Sequence, residues 1–504
     1  MKAKRTILFF FLFLSALIPI PLIRADPGWL TGWTKRVKIT IDSGDVDTAL
    51  SDFPVLIYVS DSSGINGEDI TFVFDEVGAN SLKIAVTLSD GITECYTEIE
   101  KWDLGNEKAW LWAKISAISN ITDTDIYLYY DNDHADNTDK VGPTNSVPAE
   151  NVWDTNYDGV YHLKESSTPV IDSTINDFDL TAHGNPTYQQ AGKIDGAIGF
   201  DGDADSFDRD NLLAAGLTGV SVEAWIEADT FPVLPGGIIF YHGDNAQFQL
   251  KIFSPDTFRF GVYFPVATWI LVDDDPYVVD TQYHVAGTWL KNDFIRLYVN
   301  GVEVETTAVP NEFLIDPGTA YNPSIGAFSF NNVPSQEFDG IIDELRISSI
   351  TRSPSWIKTT YETGRDDLLD FESEQEAPQP YIPTKLFGAG FNSSSPYVIL
   401  RWASNLTDID FFEIQNSTDK ISWDYLGQST TNQYTDLQVT NGLERYYRVR
   451  ACNLEYGEWF NSTFTDINFE KVYFVIGSGG LFPGLAIGIS LIIIAVMYFL
   501  ETRR

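Results

Sequence analysis

The sequence predicts an all-β chain of tandem antiparallel β-sandwiches, closed by one C-terminal transmembrane helix. Three observations carry that prediction. Short runs with period-2 alternation recur from Thr34 to Asn453, separated by Asp, Ser, Gly and Asn turns, and no helical period is sustained between them. Asn300-Gly301 lies between two such runs and tolerates the positive φ angles of a type I′ hairpin turn. Finally, Val472 to Leu500 contains no charged residue and is long enough to cross a bilayer as a helix.

The hairpin fixes an expected register. Val299 should face Val302, Leu297 should face Val304 and Ile295 should face Thr306, giving a mostly apolar side. Tyr298 with Glu303 and Arg296 with Glu305 should form the solvated side, the second an opposite-charge cross-strand pair. The same stretch, YHVAGTW followed by IRLYVNGVEV, resembles the central signature of the laminin-G-like, concanavalin-A-like jelly-roll family. Gly192 to Phe207, Ser221 to Ile226 and Phe338 to Ser348 are similar to that family in the right order. The resemblance implies a jelly roll over 151–371. It implies a fold more than a function, because this sandwich hosts sugar binders, adhesion modules and glycosidases.

The N-terminal 25 residues read as a secretory signal: Lys2, Lys4 and Arg5, the apolar run Ile7 to Ile18, and a cleavage point after Ala25. With 472–500 as the membrane helix, Arg503 and Arg504 in the tail 501–504 place that tail in the cytoplasm and the body of the chain outside. Lys+Arg 32 against Asp+Glu 72 gives a net charge of −40, which argues against nucleic acid or anionic lipid as the main partner. Two cysteines, Cys95 and Cys452, cannot staple several modules, so both are expected as buried thiols.

Residues 26–150 form a first β-sandwich module. Gly32-Trp33 with Lys35 to Asp42, then Asp52 to Ile57, Thr97 to Asp103 and Asp125 to Asn132, resemble a domain of unknown function at the front of prokaryotic surface proteins, where it commonly precedes a laminin-G-like module. Asp154, Asn156, Asp158, Gly159 and Glu165 match the spacing of an EF-hand loop, but no helix flanks them, so a junction strand is expected there. The acidic, proline-bearing segment 372–384 reads as a linker. Residues 385–468 resemble a fibronectin type III domain, which implies Trp402 as its core tryptophan and Tyr447, Val449 and Ala451 as inward residues. Where the family has its corner tyrosine, this chain has Arg445. Sequons stand at Asn120, Asn392, Asn405, Asn416 and Asn461, candidate glycosylation sites of an exported chain.

The family resemblance also implies a structural Ca²⁺ at a loop edge, with Asp172, Asn176 and Asp343 as ligands, since a hard cation needs several oxygens. For ligand binding, Trp269, Tyr277, Asp274 and Asn245 combine aromatic faces with carboxylate and amide groups, the chemistry that stacks sugar rings and binds their hydroxyls. No catalytic residue is expected. Glu98, Glu100 and Asp103 have part of a glycosidase-like spacing but lie in the first module, and Asp343 and Glu344 are adjacent, which on a regular strand sends them to opposite faces. The expected function is membrane-anchored recognition or adhesion with an extracellular glycan as partner; the alternative is a structural spacer binding surface proteins, and a glycoside-active enzyme comes third.

Overall fold

The computed structural model describes residues 28–466 with breaks, the longest at 310–322, 378–383, 389–397, 404–410 and 439–444. Residues 1–25, expected as a leader, and residues 472–500 and 501–504, expected as a membrane helix and its tail, lie outside the described residues. Among the described residues, no helix is long and apolar enough to cross a membrane. The chain divides into two compact units, one ending at Ala377 and one beginning at Pro378.

In the first unit, the N-terminal sandwich pairs two four-stranded sheets. One contains Lys35–Ile41, Thr124–Tyr130 and Ile84–Thr87; the other contains Phe53–Val59, Lys108–Ile115, Thr97–Asp103 and Val141–Pro143. Alternate residues such as Val37, Ile39, Ile126 and Leu128 meet Val55, Ile57 and Leu111 in a shared core. The fourth strand of the first sheet comes from far downstream: Leu369–Glu376 pairs antiparallel with Lys35–Ile41. Residues 372–376, expected as the start of a linker, are therefore a strand. Their acidity answers the basic strand beside them, with Glu372 at 2.8 Å from Lys38 Nζ and Glu374 at 3.5 Å from Lys35 Nζ. Leu369 and Phe371 supply the apolar half of the alternation and are buried.

Between those two paired strands the chain makes a second sandwich. One sheet carries Gly219–Ala228, Gln282–Leu290, Phe294–Val299, Val302–Ala308 and Asp339–Ser348; the other carries Gly237–His242, Gln247–Phe253, Thr257–Phe264 and Thr268–Asp274. The two sheets come close where Gly287 faces Phe260: a Cβ there would lie 2.1 Å from the Phe260 ring. Asn300 and Gly301 have φ of 49° and 75°, as the type I′ turn requires. Val299 faces Val302 and Tyr298 faces Glu303, but a bulge then shifts the register so that Leu297 faces Glu305 and Arg296 faces Thr306. The extra residue lets Val304 turn toward the core, and Arg296 pairs with Glu303 instead of Glu305. The segment with EF-hand spacing is a strand, Tyr157–Tyr161, paired with Asp339–Ser348, and Asp154 is held by both terminal nitrogens of Arg352 at 2.7 and 2.9 Å.

The helix Pro354–Gly364 follows, capped by the Ser353 hydroxyl. Its Trp356 packs on Phe53 of the first sandwich at 4.8 Å between ring centroids. In the second unit, Leu400, Phe412, Ile414, Tyr447, Val449 and Ala451 form the core, so Tyr447, Val449 and Ala451 point inward as expected. Tyr447 Oη donates to Asp436 Oδ2 at 2.9 Å. The side chain of Trp402 lies outside the described residues. Both cysteines are free and buried.

Candidate functional site

Two places in the first unit concentrate polar chemistry. The first is a seam between the two sandwiches. Strand Thr97–Asp103 of the N-terminal sandwich contributes Glu98 and Glu100, strand Asp339–Ser348 contributes Asp343, Glu344 and Arg346, and His162 lies just after Tyr157–Tyr161. All six are buried. Asp343 and Glu344 do not point to opposite faces as expected. Across from them, Trp225 faces Asp343 and Glu223 faces Arg346, so Ala224 is opposed by both Glu344 and Leu345. This bulge, with Glu344 at φ 50°, turns Leu345 into the jelly-roll core and leaves Asp343, Glu344 and Arg346 on the seam.

Within the seam, His162 Nδ1 is 2.6 Å from Glu344 Oε1 and 3.4 Å from Glu100 Oε2, and Nε2 is 3.3 Å from Glu98 Oε1. Indole N–H groups hold two of these carboxylates: Trp112 donates to Glu100 Oε2 at 2.7 Å and Trp153 to Glu98 Oε2 at 2.8 Å. Arg346 donates to Glu344 Oε2 at 2.6 Å while its guanidinium lies over Trp112. Burial pulls the His162 imidazole down, but Glu344, Glu100 and Glu98 together push it well above the ordinary histidine range. Burial raises the Glu98 carboxyl, yet His162 and Lys164 outweigh it and hold it down at about 2. Burial wins at Glu100 and at Glu223, each pushed up to about 7. Glu100 Oε1, Glu223 Oε2 and Asp343 Oδ1 are buried without a hydrogen-bond partner.

The second place is the outer face of the other jelly-roll sheet. Phe258, Phe260 and Val262 fill the core, so Arg259, Gly261 and Tyr263 face outward. Register puts Trp269 beside Tyr263, Leu271 beside Gly261 and Asp273 beside Arg259; across the other edge, Gln249 lies beside Gly261 and Lys251 beside Arg259. Trp269 lies across Gly261, where an added Cβ would be 3.1 Å from its ring, and its centroid is 5.3 Å from that of Tyr263. Arg259 grips Asp273 with two bonds of 2.6 and 2.7 Å. Gln249 and Lys251 are buried floor residues, and Lys251 Nζ donates to Gln336 Oε1 at 2.8 Å.

The residues expected to bind ligand are thus dispersed. Trp269 and Asp274 are half-buried on strand Thr268–Asp274, but Tyr277 is not an exposed rim aromatic. It is 2% exposed and belongs to the core, packed on Phe258 at 5.2 Å. Asn245 lies outside the described residues. The expected Ca²⁺ ligands are also engaged separately. Asp172 accepts from the amides of Val160, Thr174 and Phe178 and from the Thr174 hydroxyl, which occupies both carboxylate oxygens. Asn176 turns its amide nitrogen to the carbonyls of Tyr157 and Asp158, and Asp343 Oδ2 accepts from the amides of Lys193 and Ile194. Asn120 is exposed, as a glycan acceptor must be, whereas Asn416 is buried in strand Phe411–Ser417 and has no room for one. Asn392, Asn405 and the side chain of Asn461 lie outside the described residues. Sequence reasoning named Glu98, Glu100, Asp343 and Glu344 but did not bring them together, because Glu98 and Glu100 sit at alternate positions on their strand, the pattern of a solvated face; Ile99 between them beside tryptophans was the available signal.

Residues 201–358 match the family model of the concanavalin A-like lectin/glucanases superfamily. This part of the chain is a concanavalin A-like jelly roll. Domain 4 of AbnA, an extracellular arabinanase from Geobacillus stearothermophilus solved with arabinotriose, is similar at 21% identity and TM-score 0.32, over 40% of this chain and 97% of that one. The botulinum neurotoxin serotype D ligand binding domain solved with N-acetylneuraminic acid is similar at 11% identity and TM-score 0.34, over 60% of this chain and 85% of that one. The binding domain of Paraclostridial Mosquitocidal Protein 1 is similar at 9% identity and TM-score 0.36, over 59% and 77%. None of these likenesses bears on what this chain binds. A search of curated proteins gives no match. Trp269, Tyr263 and Glu344 lie within the matched residues, whereas Glu98, Glu100 and His162 lie outside them.

Proposed function

We propose that this chain is a cell-surface recognition protein whose jelly roll binds a glycan on the outer face of strands Gln247–Phe253, Thr257–Phe264 and Thr268–Asp274. The observation that carries this reading is the half-buried Tyr263–Trp269 pair, whose Trp269 lies across Gly261 beside Leu271. An aromatic surface supported by a glycine offers a sugar ring a stacking platform, and Gln249 with the Arg259–Asp273 pair offers donors and acceptors for hydroxyls. Recognition without hydrolysis is favoured because Glu98, Glu100 and Glu344 are enclosed between the sandwiches, where a glycosidic bond has no route to them. The leader 1–25 and the apolar span 472–500 give the address: outside the membrane and anchored to it. A glycan array probed with the wild-type protein and with Trp269→Ala tests this. The expected result is a defined set of glycans bound by the wild type and lost in the variant; a blank array, or hits kept by the variant, would refute the site.

A further inference from the structure

The seam holds more acid than its own bases neutralise. Glu98, Glu100, Glu223, Asp343 and Glu344 are buried there. The cations that face them among the described residues are Arg346, bonded to Glu344, Lys164, which donates to the Glu100 carbonyl and the Thr144 hydroxyl, Lys193, whose side chain lies over Trp225 near Asp343, and His162 when protonated. Arg352 is taken by Asp154, and His284, 3.6 Å from Glu223, contributes a positive charge only when protonated. Buried carboxylates in excess need compensation, by protons or by a cation.

Geometry favours a cation. Glu100, His162 and Glu344 each offer a ligand atom, all within 4.8 Å of one another. Each carboxylate has one oxygen fixed from outside, Glu100 Oε2 by the Trp112 indole and Glu344 Oε2 by Arg346. Glu344 turns its other oxygen, Oε1, to His162 Nδ1; Glu100 Oε2, besides taking the indole bond, lies 3.4 Å from the same nitrogen, and Glu100 Oε1 is buried with no partner. Outer donors that orient a ligand's far atom while its near atom converges with others are the arrangement that supports metal ligands in proteins. One imidazole nitrogen with two carboxylates suits a first-row divalent ion of borderline softness better than Ca²⁺ or Mg²⁺, which prefer oxygen alone.

We propose that Glu100, His162 and Glu344 bind one divalent transition-metal ion, zinc foremost, which joins the N-terminal sandwich to the jelly roll. Glu100 comes from the first and Glu344 from the second, so the ion bridges strands that the sequence separates by more than two hundred positions. On binding, the ion replaces the proton between His162 Nδ1 and Glu344 Oε1, and that proton leaves to solvent.

The test uses the full-length protein, stripped with chelator and titrated with ZnCl₂ in a calorimeter, followed by elemental analysis after dialysis. One retained equivalent and a raised melting temperature are expected. Trp112→Phe, which removes the N–H behind Glu100, should weaken zinc binding by about 10- to 100-fold, and Glu100→Gln more. X-ray absorption of the wild-type zinc protein does not depend on any variant folding: a nitrogen scatterer at about 2.0–2.1 Å with carboxylate oxygens is expected. No retained zinc, zinc retained equally by both variants, or an all-oxygen shell would overturn the site and assign any binding to surface carboxylates.

Discussion

Lys251 lies on the outer face of the jelly roll yet is 4% exposed, and burial, with Arg259 adding to it, pulls its amine down from 10.5 to about 8. Between about pH 8 and 10.5 the unfolded chain carries a proton at this position that the folded chain has released. Protons bound in the unfolded state exceed those in the native state over that window, so this group's contribution to stability rises as pH climbs from 8 and is lost as pH falls back through it. Lys251→Met should therefore raise the urea midpoint at pH 7 and flatten its pH dependence above 8 relative to wild type. Equal pH profiles for the two proteins would show that the amine is not desolvated. Trp269 was legible at this scale as an aromatic among polar residues; Tyr277 was not, because a tyrosine near a loop looks alike in sequence whether its ring faces water or Phe258.

Strand Gln282–Leu290 is central to its sheet, and its glycine is a packing residue. Gly287 has no backbone need to be glycine, but Phe260 of the facing sheet fills the space a side chain would take. Gly287→Ala should cost on the order of 1–3 kcal/mol, as overpacked cores do, and lower the melting temperature of the first unit. Unchanged melting would contradict the close packing of Phe260 on Gly287. The hairpin turn that directly follows this strand's partner, Phe294–Val299, was readable from Asn300-Gly301 alone, since local backbone preference sets that turn. The bulge beyond Tyr298 was not readable, because it answers the burial of Val304, a tertiary demand. The end of strand Leu369–Glu376 is illegible for a related reason: the acids from Glu372 on look like a linker until Lys35 and Lys38 are placed beside them.

At the scale of the molecule, the jelly roll is inserted into the N-terminal sandwich, not appended to it. The sheet containing Lys35–Ile41 is completed only when the chain returns as Leu369–Glu376, and Trp356 then packs on Phe53. A fragment of residues 26–150 therefore lacks an edge strand and a helix and exposes Ile39, Phe53 and the acids of the seam. It should be insoluble or lack a cooperative melt, whereas a fragment of residues 26–377 should melt in one transition by differential scanning calorimetry. A well-folded 26–150 fragment would contradict the insertion. The existence of the sandwiches was legible from alternation and turn residues, and the jelly roll from its motifs. The seam was illegible because charged residues on a sheet face ordinarily mark solvent, and only the packing of two separate sandwiches turns that face inward.

The claim that most needs testing is that recognition takes place on the open jelly-roll sheet. The direct measurement is a crystal structure of the protein with the glycan selected on the array. A sugar ring stacked on Trp269 above Gly261, with hydroxyls bonded to Gln249 or to the Arg259–Asp273 pair, is the result expected; a glycan seated anywhere else on the chain would contradict the account.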